Sequence, residues 1–345
     1  MPPHGVRSAK PTMRDVGILA GVSQSTVSHV VNQTGKIPEE TEKRVREAIR
    51  ELGYRPNETA RNLRLRRSHT IGMVTDRIAS SPFAGRVLRG AEEFAWERGY
   101  LLLLVDAKED PSIESAAVDT LLARQVDGML YAAMSWRGVD ASAGFTKLPS
   151  LLVNAWPSGS RKIPAIVPAE TEGGRLAASA VIEAGHERIA FLGGPKDDPA
   201  RIEREAGFRK AMADAGIPVN EQWVLSGDYQ ISSGHHLATR ILDGGNSPTA
   251  VVCGNDRMAV GVITAALEHG LRVPEDLSVV GYDDQEDLAD QIAPGLTTVT
   301  IPHYEMGRTA VEHLLDALDS GRAPKGATIP GALVRRGSVA APARR

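Results

Sequence analysis

Gly21-Val22-Ser23-Gln24-Ser25-Thr26-Val27-Ser28-His29-Val30-Val31-Asn32 is the stretch from which the architecture of this chain is read. Val27, Val30 and Val31 recur at helical spacing and predict a helix over 24–31 that buries them. Ser23 is placed to cap that helix, and Gly21 ends the one before it. The preceding helix is predicted over 13–20, with Thr12 and Asp15 as a capping pair and Val16 and Leu19 turned inward. Pro38 presets a third helix over 39–52, with Val45, Ala48, Ile49 and Leu52 on one face and Gly53 as its stop. Three short helices, the first two joined by a tight glycine-containing turn, make a helix-turn-helix unit.

The polar side of the same stretch carries the chemistry of that unit. A recognition helix enters the major groove with its N-terminal residues against base edges. Gln24, Ser25 and His29 project outward: Gln can pair bidentately with adenine, Ser with several bases, and His can donate to guanine N7 or O6. Ser23, Thr26, Ser28 and Asn32 suit phosphate oxygens, which fix register without reading sequence. Charge supports this division. Residues 1–67 carry 13 Lys and Arg against 7 Asp and Glu, whereas the rest carries 27 against 36. A basic head on an acidic body is the asymmetry expected of a nucleic-acid reader joined to a domain that does not touch nucleic acid.

Beyond the head, residues 55–67 form a basic segment in which Asn57 can cap a short helix over 58–65, with almost no apolar face and too poor in burial to fold alone. From Thr70 the pattern becomes apolar strands alternating with helices. Strands are predicted over 70–75, 101–106, 127–132, 150–154, 165–167, 188–192, 223–226, 250–253 and 277–281. Helices are predicted between them over 84–98, 112–124, 172–184, 203–215, 233–242 and 256–269. Such alternation argues two parallel sheets with helices on both faces, changing over near 167–174. The final strand–helix–strand, 297–334, is expected to return to the first sheet.

Asp15-Val16, Ala20-Gly21-Val22-Ser23, the 26–32 stretch and Leu52-Gly53-Tyr54-Arg55-Pro56-Asn57 together resemble the signature of the lactose-repressor family of transcriptional regulators. The likeness continues in order through Gly193-Gly194-Pro195, Ala206-Gly207-Phe208, Asn255-Asp256-Arg257-Met258-Ala259, the 279–284 run and Leu296-Thr297-Thr298-Val299. It implies an all-α helix-turn-helix DNA-binding head followed by an α/β two-lobed, periplasmic-binding-protein-like sensor of doubly wound parallel sheets. The expected division is a tail at 1–11, the head at 12–56, a hinge helix and linker at 57–69, a first lobe at 70–168 plus 299–335, and a second lobe at 169–298.

The same resemblance implies residue roles. Met13, Gln24, Ser25 and His29 would touch bases, and Thr12, Ser23, Thr26, Asn32, Tyr54 and Asn57 the backbone. In the hinge, Leu63 would wedge into a base step from the minor groove, with Arg64 beside it and Arg61 near phosphate. Two such wedges must insert together, so the expected partner is double-stranded, near-palindromic operator DNA bound by a homodimer. For the effector, Arg204 and Asp283 are implied as polar anchors, Tyr229 as an aromatic wall and Asn255 as a further hydrogen-bonding group, with Phe83 placed to stack on a ring. The expected ligand is a sugar or sugar derivative, with a nucleobase or other metabolite as second choice. The chain departs from the family pattern at Pro168-Ala169, where an acidic pair is common, and at Ala84, Ile301 and His303. Trp156 could add a stacking face or anchor a loop.

Other classes are disfavoured. There is no nucleophile elbow, HExxH motif, paired CxxC or Walker-type loop, so no enzyme, metal or cofactor is expected. The lone Cys253 fits a buried position in a reducing cytosol. No apolar stretch is long enough to span a membrane. A solute-binding protein for uptake would share the body, but would carry a secretory signal and no basic helical head.

Overall fold

The computed structural model describes residues 11–32, 34–54, 67–77, 84–244 and 246–343. They divide into two compact units, a head ending at Ser68 and a sensor beginning at His69. The expected hinge helix over 58–65 lies outside the described residues.

In the head, α1 (Met13–Ala20), α2 (Gln24–Val31) and α3 (Glu39–Leu52) follow the predicted limits. Thr12 and Asp15 satisfy each other's backbone N–H in a capping box, and Ser23 Oγ accepts from Thr26 N. Gly21 and Gly53 stop their helices at positive φ. The core joins Val16 and Ala20 to Val27, Val30, Val45, Ala48 and Tyr54. Leu19, expected inside, is 46% exposed. Gly17 takes the inward position instead, because α1 packs on the following turn so tightly that a Cβ there would meet Val22 O at 2.9 Å.

The sensor is built from β1 (Thr70–Thr75), α4 (Ala84–Glu97), β2 (Leu101–Asp106), α5 (Pro111–Ala123), β3 (Gly128–Val139), β4 (Ser150–Pro157), β5 (Ala165–Pro168), α6 (Glu170–Ile182) and β6 (Ile189–Gly193). It continues with α7 (Pro199–Asp214), β7 (Val224–Ser226), α8 (Ile231–Leu242), β8 (Ala250–Cys253), α9 (Asp256–Glu268), β9 (Ser278–Asp283), β10 (Thr297–Thr300), α10 (His303–Ser320), β11 (Ala327–Ile329) and β12 (Leu333–Val334). One sheet runs β2-β1-β3-β4-β5-β11 and the other β7-β6-β8-β9-β10-β12. Every pairing is parallel except that of β12 with β10. Central strands such as β6 and β8 are buried along their whole length, as strands covered by helices on both faces must be.

Three differences from expectation bear on the site. β10 belongs to the second sheet, where Thr297 pairs with Val280, and not to the first. The chain therefore crosses between lobes at 168–170, at 300–303 and at 329–333, with α10 and β11 in the first lobe and β12 back in the second. Next, α7 begins at Pro199, four residues before the expected start, because Asp198 caps it and proline suits its first turn. Last, β3 and β4 run past their predicted ends, with a register shift between Ala132 and Arg137. Arg137 stabilises this extension by pairing with buried Asp76 at 2.8 Å and donating to Tyr131 Oη. Among the described residues no helix is long and apolar enough to cross a membrane.

Candidate functional site

The head presents a polar helix face. Gln24, Ser25 and His29 are all exposed, while Val27 and Val30 on the opposite side are buried. Ser23 Oγ lies 2.7 Å from Ser25 Oγ and 2.8 Å from Thr26 Oγ1 while capping α2, so these three hydroxyls form one local cluster. Asn32 Nδ2 turns back to donate to Ser28 O at 2.7 Å. Thr12 is exposed and Met13 half-buried at the start of α1. Tyr54 packs into the head's core, where burial pushes its phenol above the ordinary value. Asn57, Arg61, Leu63 and Arg64 lie outside the described residues.

In the sensor, the carboxyl ends of the strands meet around a cavity of about 190 Å³. Ligands of doubly wound sheets sit at this place. Its lining includes Met134 and Trp136 from β3, Asn154 from β4, and Asp198, Arg204, Tyr229, Asn255 and Asp283 from the second lobe. Ile301 and His303, at the second crossing between lobes, close it. Four expected residues, Arg204, Tyr229, Asn255 and Asp283, are thus brought together; Phe83 lies outside the described residues.

Arg204 is buried within α7, in its second turn and not at its start as expected. Its Nε and Nη2 donate to the two Glu170 oxygens at 2.7 and 2.8 Å, and Nη1 donates to Gly254 O at 2.6 Å. The guanidinium lies 3.8 Å over the Tyr282 ring. Burial opposes its charge, but Glu170 outweighs burial and holds its pKa well above the ordinary value. A guanidinium has five N–H donors; three are used, which leaves two for a ligand. Asp283, the last residue of β9, is buried with φ +107 and lies 3.7 Å from Arg204 Nη1. Burial drives its carboxyl well above the usual range, against the opposing pull of Arg204. The carboxyl oxygens of Asp283 accept no hydrogen bond among the described residues, whereas its backbone carbonyl accepts from Ile301 N.

The rest of the lining is held in place. Tyr229 Oη donates to Asp198 Oδ1 at 2.8 Å, fixing the ring as a wall. Gly194 makes room for it: a Cβ there would meet the Tyr229 ring at 2.1 Å. The glycines of the Gly193-Gly194-Pro195 turn therefore serve close packing. Asn255 caps α9 through Oδ1 and donates through Nδ2 to Tyr229 O, so its groups are largely spoken for. His303 is fully buried, and burial first, then Arg86 and Arg204, push it down to about 3, so it is neutral. Trp156 packs edge-on against Trp136 at 4.6 Å, and Trp136 is the one that lines the cavity.

Sequence reasoning missed Glu170 and Asp198. A signal for Glu170 existed: it directly follows Pro168-Ala169, where the family's acidic pair is replaced, and so restores a carboxylate at the lobe junction. For Asp198 the signal was Asp-Pro at a helix start. Among the described residues no group of His, Cys, Asp and Glu is placed to hold a metal ion.

Comparison with known proteins agrees with both units. Residues 12–57 match the family model for bacterial regulatory proteins of the lacI family, and residues 178–339 match that for a periplasmic binding protein-like domain. The HTH-type transcriptional repressor PurR of Aliivibrio fischeri is 37% identical over 311 residues, 89% of this chain and 91% of the relative. PurR of Haemophilus influenzae is 35% identical over 309 residues, again 89% and 91%. Among solved structures, the lac repressor dimer bound to operator and the anti-inducer ONPF aligns with TM-score 0.77 and 31% identity, covering 96% of this chain and all of that one. The complex of the transcriptional regulator CelR with cellobiose aligns with TM-score 0.67 and 30% identity, covering 95% and 99%. The likeness runs along nearly the full length of these relatives and takes in both the helical head and the two-lobed sensor, and the chain belongs to the lacI family of bacterial regulatory proteins.

Proposed function

We propose that this regulator is a repressor that grips a near-palindromic operator as a homodimer and loses or gains that grip when a neutral, monosaccharide-sized sugar enters the sensor cavity. One observation carries the ligand reading. Two Arg204 N–H donors that make no hydrogen bond among the described residues lie beside the Asp283 carboxyl group, which accepts none among them either. Neighbouring sugar hydroxyls both donate and accept, so they complement such a pair. Arg204, the buried cation of the lining, is already neutralised by its two bonds to Glu170, which disfavours a phosphorylated ligand. Its volume of about 190 Å³ suits one ring. A nucleobase is the second reading, favoured by Trp136 and Tyr229 in the same lining.

The roles of Gln24, Ser25 and His29 at bases, and of the hinge wedge Leu63 with Arg64 and Arg61, belong to this proposal. So does the dimer. Leu101 and Leu104 on edge strand β2, with Trp96 and Ile113 nearby in sequence, are exposed apolar groups of the first lobe that a second copy would cover. Ligand control requires that the sugar bind one lobe arrangement better than the other. A regulator of this kind acts in the cytoplasm, where the DNA is.

A thermal-shift panel of free sugars, sugar phosphates and nucleobases tests the reading. A specific ligand raises the melting temperature by mass action. A neutral sugar should do so for the wild type and not for Asp283→Ala, which should still bind operator. Stabilisation by nucleobases or phosphorylated sugars alone would refute the proposed ligand class.

A further inference from the structure

The loop after α2 folds back beneath the helix and attaches to His29 twice. Thr34 N donates to His29 O at 2.9 Å, the six-to-one bond of a Schellman-type helix end. Thr34 Oγ1 lies 3.0 Å from His29 Nδ1. Gly35, at φ +80, turns the chain there, and a Cβ on it would be in ordinary contact with Nδ1 at 3.5 Å. The Thr34 hydroxyl makes no other hydrogen bond among the described residues, and neither does His29 Nε2.

A neutral imidazole has one donor and one acceptor nitrogen, and a bond to one decides the role of the other. The ring's own preference puts its proton on Nε2. A Thr34 hydroxyl that donates to Nδ1 locks in that preference and leaves Nε2–H for the groove. The opposite arrangement would leave Nε2 as an acceptor, suited to the amino groups of cytosine or adenine.

We infer that Thr34 is a specificity-determining positioning residue, whose hydroxyl donates to His29 Nδ1 and thereby commits His29 Nε2–H to a guanine acceptor. The inference rests on α2 being the base-reading helix with His29 among its readers. The backbone bond would hold the loop in place without the hydroxyl, so the side chain's role is separable from that of the fold.

The test is selection of full-length protein on a randomised duplex library, comparing the wild type with His29→Ala, Thr34→Val and Thr34→Ser. The wild type should select guanine at one position of each half-site. His29→Ala and Thr34→Val should each lose that preference by about tenfold or more, with other positions retained. Thr34→Ser, which keeps the hydroxyl, should retain it. Thr34→Val that still selects guanine, or that weakens all sequences alike, overturns the inference. So does cytosine or adenine at that position in the wild type. If His29→Ala changes no position, the reading of His29 itself fails, and the inference falls with it by a separate route. Nitrogen-15 spectra of histidine-labelled wild type provide a readout independent of the variants: His29 should appear as the Nε2–H tautomer, and the Nδ1–H tautomer would refute the assignment.

Discussion

Glu170→Ala would strand the Arg204 guanidinium inside the sensor. In the native structure that cation is enclosed by two bonds to Glu170, one to Gly254 O and the Tyr282 ring. Both partners are almost wholly buried, at 1% and 6% side-chain exposure, so loss of the carboxylate leaves the cation with little solvation to replace it. Asp283 stands 3.7 Å away, beyond hydrogen-bond reach, and cannot substitute without moving. Removing one member of a buried ion pair costs roughly 3–5 kcal/mol, because an uncompensated charge remains. For a unit of this size each kcal/mol lowers the melting temperature by about 2–4 °C, so a fall of roughly 6–20 °C is expected. Tryptophan fluorescence on heating reads it directly. The double variant Glu170→Leu, Arg204→Met removes both charges and should recover most of the loss, since apolar replacement of a whole buried pair is often neutral. A Glu170→Ala protein that melts within about 2 °C of wild type, or a double variant no more stable than the single, would refute the reasoning.

Two further outcomes follow from the same cavity. His303 is neutral in the fold because burial pushes it from 6.5 down to about 3, while the unfolded chain takes up a proton below 6.5. Its contribution is therefore intact above pH 6.5 and is lost as pH falls toward 3, by about 2 kcal/mol between pH 7 and pH 5; His303→Gln should flatten that part of the urea-unfolding profile, and an unchanged slope would count against it. Gly194→Ala places a methyl group where the Tyr229 ring lies. It should cost about 1–3 kcal/mol through overpacking and weaken binding of whichever sugar the thermal-shift panel identifies, while ligand-free operator affinity stays at the wild-type level.

Local signals made the head legible. Thr12, Ser23, Gly21 and Gly53 act within a few residues of themselves, and the helix limits they imply agree with the structure. Leu19 was misread because an eight-residue helix has too little length to fix its inner face, and the close approach at Gly17 depends on the next turn. Central strands of the sensor such as β6 and β8 were legible as apolar runs because they are buried on both faces. The placement of β10 was not, because its register against Val280 is settled by pairing between distant segments. The cavity shows the same division. Arg204 and Asp283 were marked by motif, but the bond from Arg204 to Glu170 joins residues 34 positions apart across a helix pair. No periodicity encodes that.

The interleaved end of the chain has a consequence for synthesis. α10 and β11 complete the first lobe, while β10, β12 and the hydrogen bonds of Ser338 and Ala340 to Val279 and His186 complete the second. Neither lobe has all its strands until the last segment has left the ribosome, whereas the head is closed by near-neighbour contacts and can fold as it emerges. A nascent chain stalled before residue 297 would carry a folded helical head on a sensor with neither lobe complete, so truncated products should respond to no metabolite and lack the dimer's hold on operator.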